Sequence, residues 1–114
     1  MLIRDIINKQ IEAAVNRLFG LEAEIKIENS KLKNVGDYST NIAMVLSGKL
    51  NRPAMDIANA IVNELSKSEF AESPNATRPG FVNFKISRKF LRAAVRLMFI
   101  DFEEYIKINI AGGA

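Results

Sequence analysis

The sequence predicts an α+β domain of two layers, in which helices pack on one face of a small antiparallel sheet. Two observations support this prediction. The chain has 114 residues, of which 48% are hydrophobic and 25% charged, and this composition suits a single globular domain. Four segments carry apolar residues at helical spacing, and two shorter segments alternate apolar and polar residues as strands do.

The first elements are a helix and a strand. Apolar residues recur at steps of three and four from Ile3 to Leu18, and Gly20 suits the left-handed residue that ends a helix. Residues 23–28 alternate apolar and charged side chains, which predicts a strand with one packed face. The polar residues 29–36 then predict a turn.

Two more helices are predicted in the middle of the chain. Either Asp37 or Ser39 offers a side-chain oxygen that can cap the first of them. Pro53 begins the second, because proline fits the first turn of a helix and not its interior. The apolar stripe of the first comprises Ile42, Val45, Leu46 and Leu50, and that of the second comprises Ala54, Ile57, Ala58, Ile61, Val62 and Leu65.

The last third of the chain predicts a loop, a strand and a helix. Residues 68–80 are expected to form the loop, because two prolines bar a regular central strand. Phe81–Ile86 alternates as a strand, and Ser87 is placed to cap the helix that follows. The inner stripe predicted for that helix comprises Phe90, Leu91, Ala94, Val95 and Met98. We expect residues 1–107 to form the domain and residues 108–114 to form a linker.

The composition argues against several classes of function. The chain contains neither cysteine nor histidine, so catalytic triads of the Ser-His type and zinc sites are excluded. We therefore expect no catalytic residue and no metal ligand in this segment. A charge pair at Arg4 and Asp5 interrupts the start of the chain, so we expect no signal peptide, no membrane partner and a cytoplasmic location.

Basic charge is concentrated in the last third of the chain. The net charge is only +3, yet the stretch from Ser73 to Ile100 contains six basic residues and no acid. The six are Arg78, Lys85, Arg88, Lys89, Arg92 and Arg96. The four-residue spacing of Arg88, Arg92 and Arg96 predicts one basic helix face, which could follow a phosphate backbone or form an ordinary solvated surface.

The strand at 81–86 is the first candidate site. Its alternation points Phe81, Asn83 and Lys85 away from the core, and RNA-binding proteins use this combination of a ring, an amide and a cation. The alternative is structural, with Phe81 packed under a loop and Asn83 closing a turn. A weaker candidate is the polar run 36–41, which could bind a phosphate at a helix start or could be a plain cap in which Asp37 supplies the charge.

Two sequence runs together resemble the N-terminal additional domain of arginyl-tRNA synthetases. These runs are GDYSTNIAM at 36–44 and RPGFVNF at 78–84, and a helix that begins at Pro53 separates them. The resemblance extends from about Leu2 to about Ile110. The His-Ile-Gly-His signature and the lysine-rich loop of the family's class I catalytic domain are not found in this sequence.

The resemblance implies a role for individual residues in binding the D-loop of tRNA(Arg). It places Phe81 against an unstacked base, Asn83 at the edge of that base, and Arg78 beside the same nucleotide. Phosphate contacts are expected from Lys85, Arg88, Arg92 and Arg96. Relatives often have a small residue where this chain has Arg78, and a valine-rich strand where it has residues 72–75.

The resemblance also implies partners and cofactors. The domain would act as a monomer with the enzyme's own catalytic domain downstream, and that domain would use ATP and Mg²⁺ whereas this segment would bind no cofactor. Two other classes of function stay open, a protein-interaction adapter and an independent enzyme. An adapter would not bind tRNA in a salt-dependent way, and an enzyme would need nucleophiles or bases that the composition makes scarce.

Overall fold

The computed structural model describes residues 3–29 and 36–107 of the chain. These residues form four helices and four strands. The elements are α1 (Ile3–Phe19), β1 (Ile27–Asn29), β2 (Tyr38–Thr40), α2 (Ile42–Leu50), α3 (Ala54–Ser66), β3 (Ala71–Thr77), β4 (Phe81–Ile86) and α4 (Arg88–Ile106). The predicted linker at 108–114 and most of the predicted turn at 29–36 lie outside the described residues.

The strands form one antiparallel sheet, which confirms the predicted fold class. The strand order is β1-β2-β4-β3, so β4 lies inside the sheet while β1 and β3 are its edges. Tyr38 pairs with Phe84 between β2 and β4, and Ile27 pairs with Thr40 between β1 and β2. Helix α3 packs on β3 and β4 and also contacts α1 and α2. The helices thus form a layer against the sheet.

The core lies between the helical layer and one face of the sheet. Phe84 on β4 is the largest fully buried side chain, and its ring stacks on Tyr38 with 6.0 Å between centroids. The ring of Phe70 meets Phe84 edge-on at 5.9 Å. The predicted stripe of α3 supplies four of the buried residues, namely Ile57, Ala58, Ile61 and Leu65. Each large apolar side chain buried in this way contributes roughly 1.5 to 3 kcal/mol.

Three predicted helix boundaries are confirmed. Gly20 has a φ of 65° and its N–H donates to Asn16, which ends α1 as a left-handed cap. Pro53 directly precedes α3, and the Pro53 carbonyl accepts from the N–H groups of Asp56 and Ile57. The hydroxyl of Ser87 accepts from the N–H of Phe90 at 3.1 Å and caps α4.

The loop predicted at 68–80 was wrong, because residues 71–77 form strand β3. This strand lies at the edge of the sheet, where proline is tolerated because one side of the strand needs no ladder hydrogen bond. Its register shifts between Glu72 and Asn75, and Ser73 has a φ of 50° within that irregularity. The two prolines thus exclude a central strand but not an edge strand.

The inner face predicted for α4 was wrong in part. Phe90 and Ala94 pack toward the domain, and the ring of Phe90 meets Phe70 edge-on at 5.2 Å. Leu91 and Val95, however, are 42% and 51% exposed. Further along, the helix also exposes Leu97, Phe99, Ile100 and Phe102. Apolar spacing identified the helix. It did not show that other elements cover only the side of α4 that carries Phe90 and Ala94.

Candidate nucleic-acid interface

The sheet has a face opposite the helical layer, which we call the outer face. On β1 and β4 the buried residues Ile27, Val82 and Phe84 point to the core, so the residues that alternate with them point outward. Paired residues of neighbouring strands lie on the same face, and the register therefore extends this surface across the sheet. The outer face comprises Lys26, Glu28, Ser39, Asn41, Glu72, Asn75, Thr77, Phe81, Asn83 and Lys85.

Phe81 is the aromatic residue of the outer face. It begins β4 and is 37% exposed, so part of the ring is open to solvent. The ring borders a cavity of about 120 Å³. The other residues that line the cavity are polar or charged, namely Lys26, Glu28, Ser39, Thr40 and Asn41. An open ring beside polar groups can stack a planar ligand and hydrogen-bond its edge.

Asn83 has the predicted orientation but not the predicted exposure. It is only 3% exposed, and its amide nitrogen donates to the side chains of Asn75 at 3.2 Å and Thr77 at 3.0 Å. The amide therefore bridges β4 to the edge strand β3. Alternation predicts the face on which a residue lies, but it cannot show that side chains on an adjacent strand cover the residue. The sequence-based assignment of a base contact to Asn83 stays a prediction.

A tight turn at 77–80 carries Arg78 and positions Phe81. The N–H of Gly80 donates to the carbonyl of Thr77 at 3.0 Å, and Arg78 is exposed in the turn. Gly80 is buried, and a Cβ atom there would lie 2.9 Å from Ala54 Cβ and 2.9 Å from Met44 Cγ. The missing side chain lets the turn pack against the helical layer. Arg78 and Phe81 are thus held three residues apart at one end of the sheet.

The start of α2 differs from its prediction. Asp37 and Ser39 do not cap the helix, because Ser39 lies in β2 and the N–H of Asp37 donates to Phe84. Asn41 occupies the cap position, but its side chain makes no capping hydrogen bond. Thr40 Oγ1 instead accepts from the N–H of Ile42 at 3.3 Å. Asn41 also lines the cavity beside Phe81.

The predicted basic residues are all exposed, and they fall into two groups. Lys85 lies on the outer face, where it is paired in register with Glu72. Arg88, Arg92 and Arg96 lie on α4, and among the described residues none of these guanidinium groups forms an ion pair. Eight residues of helix separate the first and last of them by about 12 Å along the axis.

Lys89 differs from its basic neighbours because it has an acidic partner. Its ammonium hydrogen-bonds the Glu69 carboxylate at 2.6 Å and thereby holds the pKa of that carboxyl below its usual value. The acid-free stretch extends from residue 73 to residue 100, and acidic residues lie just before it in the sequence. Folding brings Glu69 to α4 and Glu72 to β4, so two of the six basic residues face a carboxylate.

The charged and polar residues beside Phe81 could not be predicted from the sequence. Alternation placed Lys26 and Glu28 on a wet face, but nothing in the sequence showed that β1 lies beside β2 at this end of the sheet. The polar run 36–41 predicts for Asn41 only a place in a phosphate site or a helix cap. Within the described ranges, no cluster of acidic side chains could hold a metal ion, and no helix has the length and apolar character to cross a membrane.

Comparison with known proteins identifies the family. Residues 3–86 match the family model of the arginyl tRNA synthetase N terminal domain. The chain is 30% identical to the arginine–tRNA ligase of Thermotoga maritima over 112 residues, which is 98% of this chain and 20% of that protein. Over 73 residues, or 63% of this chain and 13% of the relative, it is 44% identical to the same enzyme of Staphylococcus carnosus.

Solved structures share the fold. The arginyl-tRNA synthetase of Thermus thermophilus matches with a TM-score of 0.65 and 23% identity, over 79% of this chain and 15% of that one. The Plasmodium falciparum enzyme matches with a TM-score of 0.67 and 20% identity, over 82% of this chain and 17% of that one. The chain spans about a fifth of the length of the curated relatives it matches. Since the family model covers most of the sequence, including β4 and the turn before it, the chain belongs to the arginyl-tRNA synthetase N-terminal domain family.

Proposed function

We propose that this chain is the tRNA-binding domain of an arginine–tRNA ligase and that its outer face binds the D-loop at the outer corner of tRNA(Arg). The observation that carries the proposal is the half-open ring of Phe81 beside a cavity with polar walls. Sequence-specific RNA recognition targets unpaired bases, which stack on aromatic side chains and are hydrogen-bonded at their edges. A loop of tRNA supplies such bases.

The proposed contacts divide into stacking, positioning and phosphate binding. Phe81 stacks on the base, and Arg78 lies beside the same nucleotide from the exposed turn that precedes β4. Arg88, Arg92 and Arg96 contact phosphates, because exposed cations without carboxylate partners gain most from releasing RNA counterions. Lys85 contacts a phosphate from the outer face, where Glu72 lies beside it in register. A base contact by Asn83 would use its amide oxygen as an acceptor, because the amide nitrogen already donates to Asn75 and Thr77.

The activity of the whole enzyme is part of the proposal. We propose that the parent protein is a class I ligase that joins arginine to tRNA(Arg) with ATP and Mg²⁺ in the cytoplasm, and that it acts as a monomer. The segment alone would not activate arginine, because it has no His-Ile-Gly-His signature. Arginine-dependent pyrophosphate exchange by the purified segment would contradict this part.

The catalytic domain of the same enzyme is the second proposed partner. Helix α4 exposes large apolar side chains, including Phe99 and Phe102, and it lies beyond the matched residues 3–86. Relatives nevertheless align over 112 residues, and these relatives are about five times as long. An apolar helix side of this kind is typical of an interface. Slower amide exchange of α4 in the full-length enzyme than in the 114-residue chain would support the contact.

Salt dependence of tRNA binding tests the proposed function. Fluorescently labelled tRNA(Arg) is titrated with the chain at several salt concentrations, and log affinity should fall linearly with log salt. Replacing Arg92 and Arg96 with glutamine should reduce the slope by roughly 0.7 to 0.9 for each phosphate group that the variant no longer neutralises. The matched control replaces Arg4 and Lys9 on α1, which removes the same charge elsewhere.

Three results separate the open classes of function. A smaller slope for the α4 variant than for the α1 control supports phosphate contacts along α4. Equal slopes for both variants would mean that Arg92 and Arg96 form an ordinary solvated surface and do not contact phosphates. If the chain does not bind tRNA at any salt concentration, the RNA-binding proposal is wrong and a protein-interaction adapter becomes the better interpretation.

A further inference from the structure

We infer that the exposed side of α2 is a further RNA-binding surface, on which Lys49 and Arg52 bind backbone phosphates of the tRNA arm that reaches Phe81. This inference rests on the proposed function. It adds two residues to that function, and with them a route for the RNA backbone across the helical layer. The two residues lie outside the basic stretch in the last third of the chain.

The basic residues of α4 lie far from Phe81. Phe81 begins β4, whereas α4 follows the last residue of that strand, Ile86. The five steps of strand between Phe81 and Ile86 span about 17 Å. From there α4 continues to a contact with α1. Arg88, Arg92 and Arg96 therefore cannot be the cations nearest to the RNA strand at Phe81.

Helix α2 begins beside Phe81 and carries a row of exposed residues away from it. Asn41 lines the cavity at Phe81 and directly precedes α2. Asn41, Val45 and Lys49 follow at steps of four and all are exposed, so they lie in one row along the helix. The row places Lys49 about 12 Å along the axis from Asn41. The sequence contains no acid between residues 38 and 55.

Arg52 extends this row into the loop between α2 and α3. The hydroxyl of Ser47 donates to the Arg52 carbonyl at 2.7 Å, which holds the loop against α2. The guanidinium of Arg52 lies over the ring of Phe19, 5.7 Å from its centroid, and this contact orients the cation without neutralising it. Among the residues that the structure describes, neither Lys49 nor Arg52 forms an ion pair.

The turn before β4 brings Arg78 to the same end of the domain. A Cβ atom at Gly80 would lie 2.9 Å from the Cβ of Ala54, so the turn at 77–80 packs on the start of α3. Arg52 and Arg78 each lie two residues from this contact. Cations from the loop and from the turn therefore lie on the two sides of the contact between them.

The chemistry of the exposed side of α2 fits an RNA backbone better than a protein partner. A protein interface of useful strength needs a cluster of apolar side chains. Val45 is the one large apolar residue of α2 that the structure describes as exposed. Cations without acidic neighbours, in contrast, bind phosphates and release the counterions of the RNA.

A short RNA tests whether these phosphates lie near Phe81. The 114-residue chain and the double variant Lys49→Gln/Arg52→Gln are titrated with tRNA(Arg) and with a hairpin that contains only its D stem and loop. For both RNAs the double variant should reduce the slope of log affinity against log salt by roughly 0.7 to 0.9 for each lost contact. At 0.1 M salt this change corresponds to about 5- to 8-fold weaker binding for each contact. The matched control is Arg4→Gln/Lys9→Gln, which removes the same charge from exposed positions of α1.

Adding an acid to the row provides a second test. Val45→Glu places a carboxylate between Asn41 and Lys49 and should weaken binding of both RNAs, because it repels phosphate. Val45→Gln has the same length without the charge, so it should weaken binding less. Asn59→Glu adds the same charge to an exposed position of α3 and should also have the smaller effect. Thermal unfolding of all variants shows whether any loss of binding comes from a loss of folded protein.

The outcomes separate this inference from the function on which it rests. Suppose that the chain binds tRNA and that Phe81→Ala weakens this binding. The inference is then overturned if the α2 double variant keeps the slope of the α1 control, or if it changes binding of the tRNA but not of the hairpin. It is also overturned if folded Val45→Glu binds as well as Asn59→Glu. If the chain binds neither RNA, the proposed function fails and the inference fails with it.

Discussion

Replacing Phe81 separates a stacking contact from a structural one. We expect Phe81→Tyr to bind tRNA as the unchanged chain does, since the ring is kept, and Phe81→Leu to bind more weakly because a leucine fills space but cannot stack in the same way. Phe81→Ala should bind most weakly. The order follows from the ring, which lies at the start of β4 and is 37% exposed.

The expected loss of affinity is that of one stacked base, and the expected loss of stability is limited because the ring is partly exposed. A stacked base contributes about 1 to 3 kcal/mol, so Phe81→Ala should weaken binding by roughly 5- to 150-fold. The stability loss should stay well below the roughly 3 to 5 kcal/mol typical of a fully buried phenylalanine. The neighbouring Val82 is fully buried in the core, and Val82→Ala should cost about 2 kcal/mol of unfolding free energy.

Two measurements on the same variants check this reasoning. Titration of labelled tRNA(Arg) gives the loss of affinity, and thermal unfolding gives the loss of stability at roughly 4 to 8 °C for each kcal/mol. We expect Phe81→Leu to lose affinity with little change in unfolding temperature, and Val82→Ala to show the opposite. If Phe81→Leu binds tRNA normally, or if Phe81→Ala unfolds as readily as Val82→Ala, Phe81 is a packing residue and the stacking argument is refuted.

The remaining predictions concern two residues near Phe81, Asn83 and Gly80, with Gly48 as a control. Asn83→Ala should lower the free energy of unfolding by about 1 to 3 kcal/mol, because it removes two side-chain hydrogen bonds that link β4 to β3, and it should weaken all tRNA variants alike. A loss confined to one D-loop base would instead support direct reading by Asn83. Gly80→Ala should cost about 1 to 3 kcal/mol and lower tRNA affinity, since its Cβ would meet Ala54 at 2.9 Å and shift the turn before Phe81. Gly48→Ala is the control, because its Cβ meets nothing within 4 Å inside α2 and should stabilise the chain by about 1 kcal/mol without changing affinity. Unfolding curves and tRNA titrations of the three variants check each expectation.

The sequence was sufficient to predict those features that depend on a single helix or strand. The stripe of α3, the cap at Ser87 and the alternation of β4 depend on residues close in the chain, and the structure confirms all three. The predictions that were wrong depended on neighbours in space. Predicting β3 would have required knowing that residues 71–77 lie at a sheet edge. Predicting the exposure of Val95 would have required knowing which part of α4 the other elements cover.

The candidate site divides in the same way. From the sequence alone, periodicity determined that Phe81, Asn83 and Lys85 share a face, and two short motifs indicated the family. Only the tertiary structure decided that Asn83 is buried against β3 while Asn41, at the start of α2, lines the cavity beside Phe81. The physical reason is that local spacing determines the direction of a side chain, whereas burial and hydrogen-bond partners depend on strand order and register.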